Sequence, residues 1–314
     1  MDYEAARLEI QVAADIILGN AGLLAPGRYR WARALGWMCV VAILCVLSFN
    51  LAADAILRIA AAISGQEFTG RASAPTTVRL AAVVVGSAAM LVAYRIAVHL
   101  GERRAVPELG LRALAAELAT GVGIGAMLMV IIIGILWAAR WVTIAQTPVT
   151  AVLESLKLSI QSGVIEEVLM RLIIFRLLWR LGGVWPALVI TALLFGGLHL
   201  SNPDASVFAA LCLVAGEGVG AGLYLLTGRI WASIGMHAGW NFAQGWLFGC
   251  AVSGIDLASG GPLQTKPVEN VDVMLSGGGF GPESSIAALG VSLLASALCL
   301  LLALRRGRFV TVDG

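Results

Sequence analysis

The sequence predicts an all-α, polytopic membrane protein of about eight spanning helices. Hydrophobic residues fill 59% of its 314 positions, charged residues only 13%, and the mean hydropathy is +0.90. A soluble domain carries roughly 25% charged residues, and no fold of this size has interior enough to hide so much apolar surface from water. Apolar runs lie near 34–56, 80–100, 115–139, 150–178, 184–200, 205–227, 230–250 and 285–304, each near or above the ~20 residues that cross ~30 Å of hydrocarbon. The loop ends between them divide the basic residues unevenly. One set collects thirteen arginines, among them Arg103, Arg104, Arg176, Arg180, Arg305 and Arg306, and the other only Arg58, Arg71, Arg79, Arg140, Lys157 and Lys266. Both termini are therefore expected on the cytoplasmic side.

The first 32 residues, ending in Pro26-Gly27-Arg28-Tyr29-Arg30-Trp31, read as an amphipathic lead-in at the membrane surface, with no removable signal peptide. Residues 33–145 are expected to form the N-terminal transmembrane helices, and 146–314 the core that holds the chemistry. The run at 150–178 is over-long and begins with Glu154 and Lys157, which belong at an interface or in a cavity. Breaks at 60–78 and 251–284 are expected as loops outside the bilayer; the second is rich in glycine and contains Gly277-Gly278-Gly279-Phe280-Gly281-Pro282. No duplicated half is visible, which argues against the inverted-repeat transporter plan. A net charge of +2 with scattered basic residues excludes nucleic acid as a partner, and lipid is the expected solvent. Cys39, Cys45, Cys212, Cys250 and Cys299 lack Cys-x-x-Cys spacing and read as small core residues.

The chemistry is legible where polar groups interrupt apolar helices. Glu166, Glu167 and Arg171 place three formal charges inside the fourth run, at roughly 2.5–3.5 kcal/mol each if left unpaired at mid-bilayer. Glu167 and Arg171, four apart with the acid first, share a helix face and form an ion pair; Glu166 is turned about 100° away and is left free to act. His199 follows Phe195-Gly196-Gly197-Leu198 in the fifth run, and His237 and Asn241 lie one turn apart in the seventh. Counted from the bend at Gly182-Gly183, Glu166 and His199 are each about 16 residues, or ~24 Å, along antiparallel neighbours. Counted from the bend at Gly228-Arg229, Asn241 lies about 13 residues, or ~20 Å, along, at nearly the same depth. Four polar groups from three helices are thereby expected to converge. Glu217, between Gly216 and Gly218, is a further buried acid, read as structural or cavity-lining.

Glu-Glu-x-x-x-Arg, Phe-x-x-x-His and His-x-x-x-Asn on separate spans and in this order resemble the CPBP family of intramembrane proteases, which includes the type II CAAX prenyl endopeptidases and the Abi-related proteins. The resemblance covers about 150–250 closely and includes Leu223-Tyr224-Leu225-Leu226-Thr227-Gly228-Arg229-Ile230-Trp231; Met170 and Leu172 depart from it, standing where many members carry an aromatic residue and a glycine. It implies peptide-bond hydrolysis at a site in a conical intramembrane cavity, on a membrane-tethered or prenylated peptide or protein. A carboxylate withdrawn from bulk water suits a general base at neutral pH. In one scheme Glu166 and His199 hold and deprotonate a water, while His237 and Asn241 donate to the oxyanion, supported by Glu167, Arg171 and Phe195. In the other, Glu166, His199 and His237 form a His₂Glu set for a divalent metal such as zinc. The metal-free scheme is preferred, because no His-Glu-x-x-His occurs.

Blander readings stand beside these. Glu167–Arg171 is equally a packing tie, Asn241 a helix-to-helix hydrogen-bonding group, and either histidine alone a hydrogen-bonded core residue. The functional readings are accordingly an intramembrane endopeptidase, one that either processes a lipidated end or confers immunity to a processed peptide; a non-catalytic scaffold or maturation partner of the same fold; and a proton-coupled transporter.

Overall fold

A computed structural model describes residues 16–256 and 260–310. Ten helices are described: α1 (Arg30–Ile63), α2 (Thr76–Ala97), α3 (Leu114–Ala138), α4 (Val152–Glu167), α5 (Arg176–Gly182), α6 (Val184–Leu198), α7 (Val207–Thr227), α8 (Trp231–Phe242), the short α9 (Val273–Ser276) and α10 (Ile286–Arg305). Three of them run on into π-helical winding: α2 through Val98–Glu102, α8 through Ala243–Leu247, and α4 through Val168–Phe175, which joins it to α5 as one rod. Local signals set the ends. Ser206 and Ser285 cap α7 and α10 by accepting from the amides of Ala209 and Ala288. Gly183 (φ +89°) turns the chain between α5 and α6, and Gly228 (φ +65°) closes α7.

Six helical segments among the described residues are long and apolar enough to cross a membrane: Arg30–Ile63, Thr76–Glu102, Leu114–Ala138, Val184–Ser201, Val207–Thr227 and Ile286–Arg305. The protein is an all-α integral membrane protein, and its outward surface carries residues such as Leu51, Leu193, Leu294 and Leu298. Six segments meet that standard, against the about eight spans expected from the sequence. Run 150–178 is helical from Val152 to Gly182 but carries too many charges, and run 230–250 supplies only the twelve-residue α8 and a π turn.

The loop at 251–284 and the lead-in carry structure that the sequence did not show. The break at 251–284 is more than an external loop. It contains strand β2 (Leu263–Pro267), antiparallel to β1 (Val142–Gln146) with Val142 opposite Pro267, and it returns Val252, Ser253, Ile255 and Glu283 to a cavity wall. Of the amphipathic lead-in, residues 1–15 lie outside the described residues. From 16 on it is docked on protein: Leu18 and Leu24 are buried, the Ile17 carbonyl accepts from Arg176 Nη1 at 3.3 Å, and the Gly19 carbonyl accepts from Arg180 Nε at 2.6 Å.

Two packing devices fix the helices around the cavity. Gly121 and Gly125 of α3 face Gly235 and Gly239 of α8, and a Cβ on any of them would strike a backbone carbonyl oxygen of the other helix, those of Ala232, Met236, Leu118 and Val122 respectively. Two small-x-x-x-small pairs therefore bring these backbones into contact and set the height of His237. At the Gly183 end, Glu102 accepts from Arg176 at 2.6 and 2.8 Å, from Arg104 Nε at 2.7 Å and from Trp37 Nε1 at 2.9 Å. Arg104 reaches on to Glu108 at 2.6 Å, and Tyr94 Oη donates to the same carboxylate at 2.7 Å. The acids are fully buried, so each charge is matched where water is excluded.

Candidate active site

A cavity of about 420 Å³ lies between α4, α6, α7, α8 and the returning 251–284 segment. Glu166, His199, His237 and Asn241 all line it, as do Glu167, Arg171 and Phe195. Its remaining wall is largely apolar, with Leu169, Met170, Leu198, Leu213, Val219 and Met236.

His237 is held between the two adjacent acids of α4. Its Nδ1 lies 3.0 Å from Glu167 Oε1, and its Nε2 lies 3.6 Å from Glu166 Oε2. Glu167, whose other oxygen is 3.1 Å from Arg171 Nε, accepts, so the imidazole donates from Nδ1 and its Nε2 edge faces Glu166. Glu167 is almost wholly buried, whereas the Glu166 side chain keeps 31% of its exposure and faces the cavity. The sequence divided these acids into a structural tie and a working group. The tie to Arg171 is present, but Glu167 also orients His237, a second contact the spacing did not show. Arg171 pairs in addition with Glu217, and Gly220 leaves the space its guanidinium occupies. Glu217 is thus both ion-paired and cavity-lining.

His199 Nδ1 donates to the Phe195 carbonyl one turn earlier at 2.7 Å, which leaves Nε2 as the acceptor. The Phe195 ring rests against both histidines, tilted on His199 with centroids 4.7 Å apart and edge-on to His237 at 6.2 Å. Asn241 is buried, and its amide nitrogen donates to Ser162 Oγ at 2.9 Å. Of the two glycines expected to admit a neighbouring helix, Gly196 does so, facing the Ala210 carbonyl of α7 at 2.6 Å from a would-be Cβ; Gly197 faces open space.

With this arrangement in place, the comparison with known families is decisive for one segment: residues 148–243 match the model of the type II CAAX prenyl endopeptidase Rce1-like family. This segment resembles an Rce1-like domain. It runs from the start of α4 into the π turn after α8, and so contains every cavity-lining group named in the preceding two paragraphs. The match likens this part of the chain to the CAAX-type membrane proteases. No curated protein and no solved structure matches the chain.

Several polar groups around the Rce1-like domain's cavity escaped the sequence reading. Ser162, one turn before Glu166, holds Asn241. Glu283, beyond the domain, accepts from Trp240 Nε1 at 3.1 Å and from Ser253 Oγ at 2.9 Å, while Asn202 Nδ2 donates to the Ser253 carbonyl at 2.9 Å, closing the loop over one side of the cavity. Ser162 lay on the motif helix and was findable by its i,i+4 relation to Glu166; Glu283 sits in a glycine-rich loop with no local signal. Among the described residues, no three His, Cys, Asp or Glu side chains are grouped to hold a metal ion. The His₂Glu set of the second scheme is not assembled.

Proposed function

We propose that this protein is an intramembrane endopeptidase that hydrolyses a peptide bond of a membrane-tethered or prenylated peptide or protein. The observation that carries this is the convergence of Glu166, His199, His237 and Asn241 on one largely apolar cavity within the Rce1-like domain. Glu166, the more exposed acid, takes a proton from a water held also by the free Nε2 of His199, and the hydroxide attacks the scissile carbonyl. His237, flanked by two carboxylates, donates to the oxyanion from Nε2 as an imidazolium, and Asn241 donates from the amide that Ser162 positions. Protonated Glu166 then returns the proton to the leaving amine. No metal is needed in this scheme. The basic excess at the Gly183 and Gly228 ends supports cytoplasmic termini.

The test is Glu166→Gln in proteoliposomes with a farnesylated CAAX peptide. Removing a general base is expected to lower cleavage by roughly 10²–10⁴-fold. The fold is expected to survive, because the Glu166 side chain has a single 3.6 Å ionic contact. A scaffold or a transporter would show no cleavage to lose, and a variant that still cleaves within tenfold of the parent removes Glu166 from the mechanism.

A further inference from the structure

The seam between α4 and α8 contains polar groups that the proposed mechanism does not use. Ser155, Ser159, Ser162 and Glu166 fall within about 60° of one another around α4, and His237, Asn241 and Gln244 within about 60° around α8. Two contacts fix how these antiparallel faces meet: Glu167 on His237, and Ser162 on Asn241. Continued by one turn toward the β-ribbon, the same register brings Ser159 level with Gln244.

Ser155 and Gln244 are 0% exposed and Ser159 is 1% exposed. Ser155 Oγ, Ser159 Oγ and Gln244 Oε1 have no hydrogen-bond partner among the described residues, while Gln244 Nε2 donates to the Ala251 carbonyl at 2.7 Å. Unlike the buried Ser87 Oγ of α2, which is also unpartnered, Thr191 and Thr227 turn back onto the carbonyls of Ala187 and Leu223 four residues earlier, at 2.7 and 2.9 Å. Ser155 and Ser159 do not. Leaving a buried hydroxyl or amide oxygen unbonded is costly, and groups at i,i+3 and i,i+4 are ~5–6 Å apart, too far for a direct hydrogen bond and the span of one bridging water. A buried water needs two to four polar partners, which this seam supplies at each turn.

We propose that the α4–α8 seam holds a file of water molecules running from Ser155, past Ser159 and Gln244, to Ser162, Asn241 and Glu166. The file is about 16 Å long, half the hydrocarbon thickness. Its outer end lies beside the ion cluster of Arg79, Glu154 and Lys157, in which Arg79 and Glu154 are partly exposed and Lys157 is buried. Hydrolysis consumes one water per turnover, and an apolar tether filling the Leu169, Met170 and Leu213 side of the cavity would exclude it there. The seam reaches Glu166 from a different direction. The supply role rests on the proposed protease activity; the existence of the file does not.

The experiment separates the two. In the full-length chain with its five cysteines replaced by alanine, single variants Ser155→Cys, Ser159→Cys, Ser162→Cys and Val168→Cys are reconstituted and exposed to Ag⁺, which reaches thiols through narrow water-filled space. Protection from alkylation after unfolding reads the rate. Val168 is fully buried in the apolar core and serves as the dry reference. The thiols at 155 and 159 are expected to react within about tenfold of that at 162 and at least roughly a hundredfold faster than that at 168, because a thiol without water waits for local opening. If the thiol at 159 is as slow as that at 168, there is no file. In the native-cysteine chain, Ser159→Val is expected to lower kcat by about tenfold at unchanged KM, with Ser159→Thr restoring it, as loss of one hydrogen-bonding station predicts. Rapid Ag⁺ reaction with an unchanged kcat in Ser159→Val overturns the supply role. A chain that cleaves nothing defeats the protease reading while the Ag⁺ rates still decide the file.

Discussion

Replacing Glu167 by glutamine changes one oxygen to NH₂ and tests whether this acid orients the imidazole or merely ties down the helix. The carboxylate makes two contacts, Oε1 with His237 Nδ1 at 3.0 Å and Oε2 with Arg171 Nε at 3.1 Å. An amide of the same shape satisfies only one of them. If its oxygen stays on His237, the NH₂ faces the Arg171 donor; if it flips, it faces the imidazole donor and drives that proton to Nε2. Arg171 is not stranded, because Glu217 still pairs with it. The stability loss is therefore that of one charge-assisted hydrogen bond, about 1.5–3 kcal/mol, and not the ~3–5 kcal/mol of an abandoned buried charge. The activity loss is that of one oxyanion donor, since the imidazolium keeps only one of the two carboxylates that favour it, about 2.7–4 kcal/mol or roughly 10²–10³-fold in kcat, with KM little changed. Steady-state cleavage in proteoliposomes and thermal unfolding in detergent read the two terms separately. Glu217→Gln is the control: it also weakens the hold on Arg171 but touches no imidazole, and its kcat is expected to stay within about threefold of the parent. The reasoning fails if Glu167→Gln keeps a kcat within threefold of the parent, or if both variants lose the same amount.

Three further outcomes follow from the geometry. Gly239→Ala drives a methyl into the Val122 carbonyl and should destabilise the fold by about 1–3 kcal/mol, whereas Gly123→Ala, with open space around it, should be neutral or slightly stabilising; thermal unfolding of the two distinguishes contact from propensity. Glu102→Gln removes the acid that Arg176 pairs with and should cost ~3–5 kcal/mol in denaturation measurements, far more than an exposed pair. A chelator added to purified protein should leave cleavage unchanged; loss of activity that zinc restores would revive the His₂Glu scheme.

The fold was legible to the extent that hydrophobicity reports it. Each apolar run became helix, because a stretch that must satisfy its own backbone in lipid has few other options. The β-ribbon was hidden, since Val142–Gln146 and Leu263–Pro267 are five residues each and lie far apart in sequence. At the site, Glu166, His199, His237 and Asn241 were visible because a polar group inside an apolar run is expensive and stands out. Ser162, Gln244 and Glu283 were not, because serine and glutamine carry little cost at a helix seam and a loop carboxylate carries none. The arginine count treated Arg104 and Arg176 as loop-end charges, while the fold buries both against Glu102 and Glu108. Composition counts charges but does not show which of them meet an acid.

The rod formed by α4, the π turn and α5 explains why the segment least like a membrane span lies at the chemical centre. It carries charge at three levels, separated by about 20 and 14 Å along its axis. Glu154 with Lys157 and Arg79 forms the first cluster, Glu166, Glu167 and Arg171 with Glu217 the second, and Arg176 with Glu102, Arg104 and Glu108 the third. The first has one more base than acid and is partly exposed at Arg79 and Glu154, and the third is formally balanced and buried, as low dielectric requires. Only the second holds two more acids than bases. That excess is placed against the cavity, beside His237, where solvent and an imidazole can share it. A helix carrying such groups is long enough to span but too charged for lipid, so it depends on the apolar helices packed against it to keep lipid away. The acid-rich level is therefore the one part of the rod whose excess carboxylate faces the cavity, which is why the proton acceptor is proposed there.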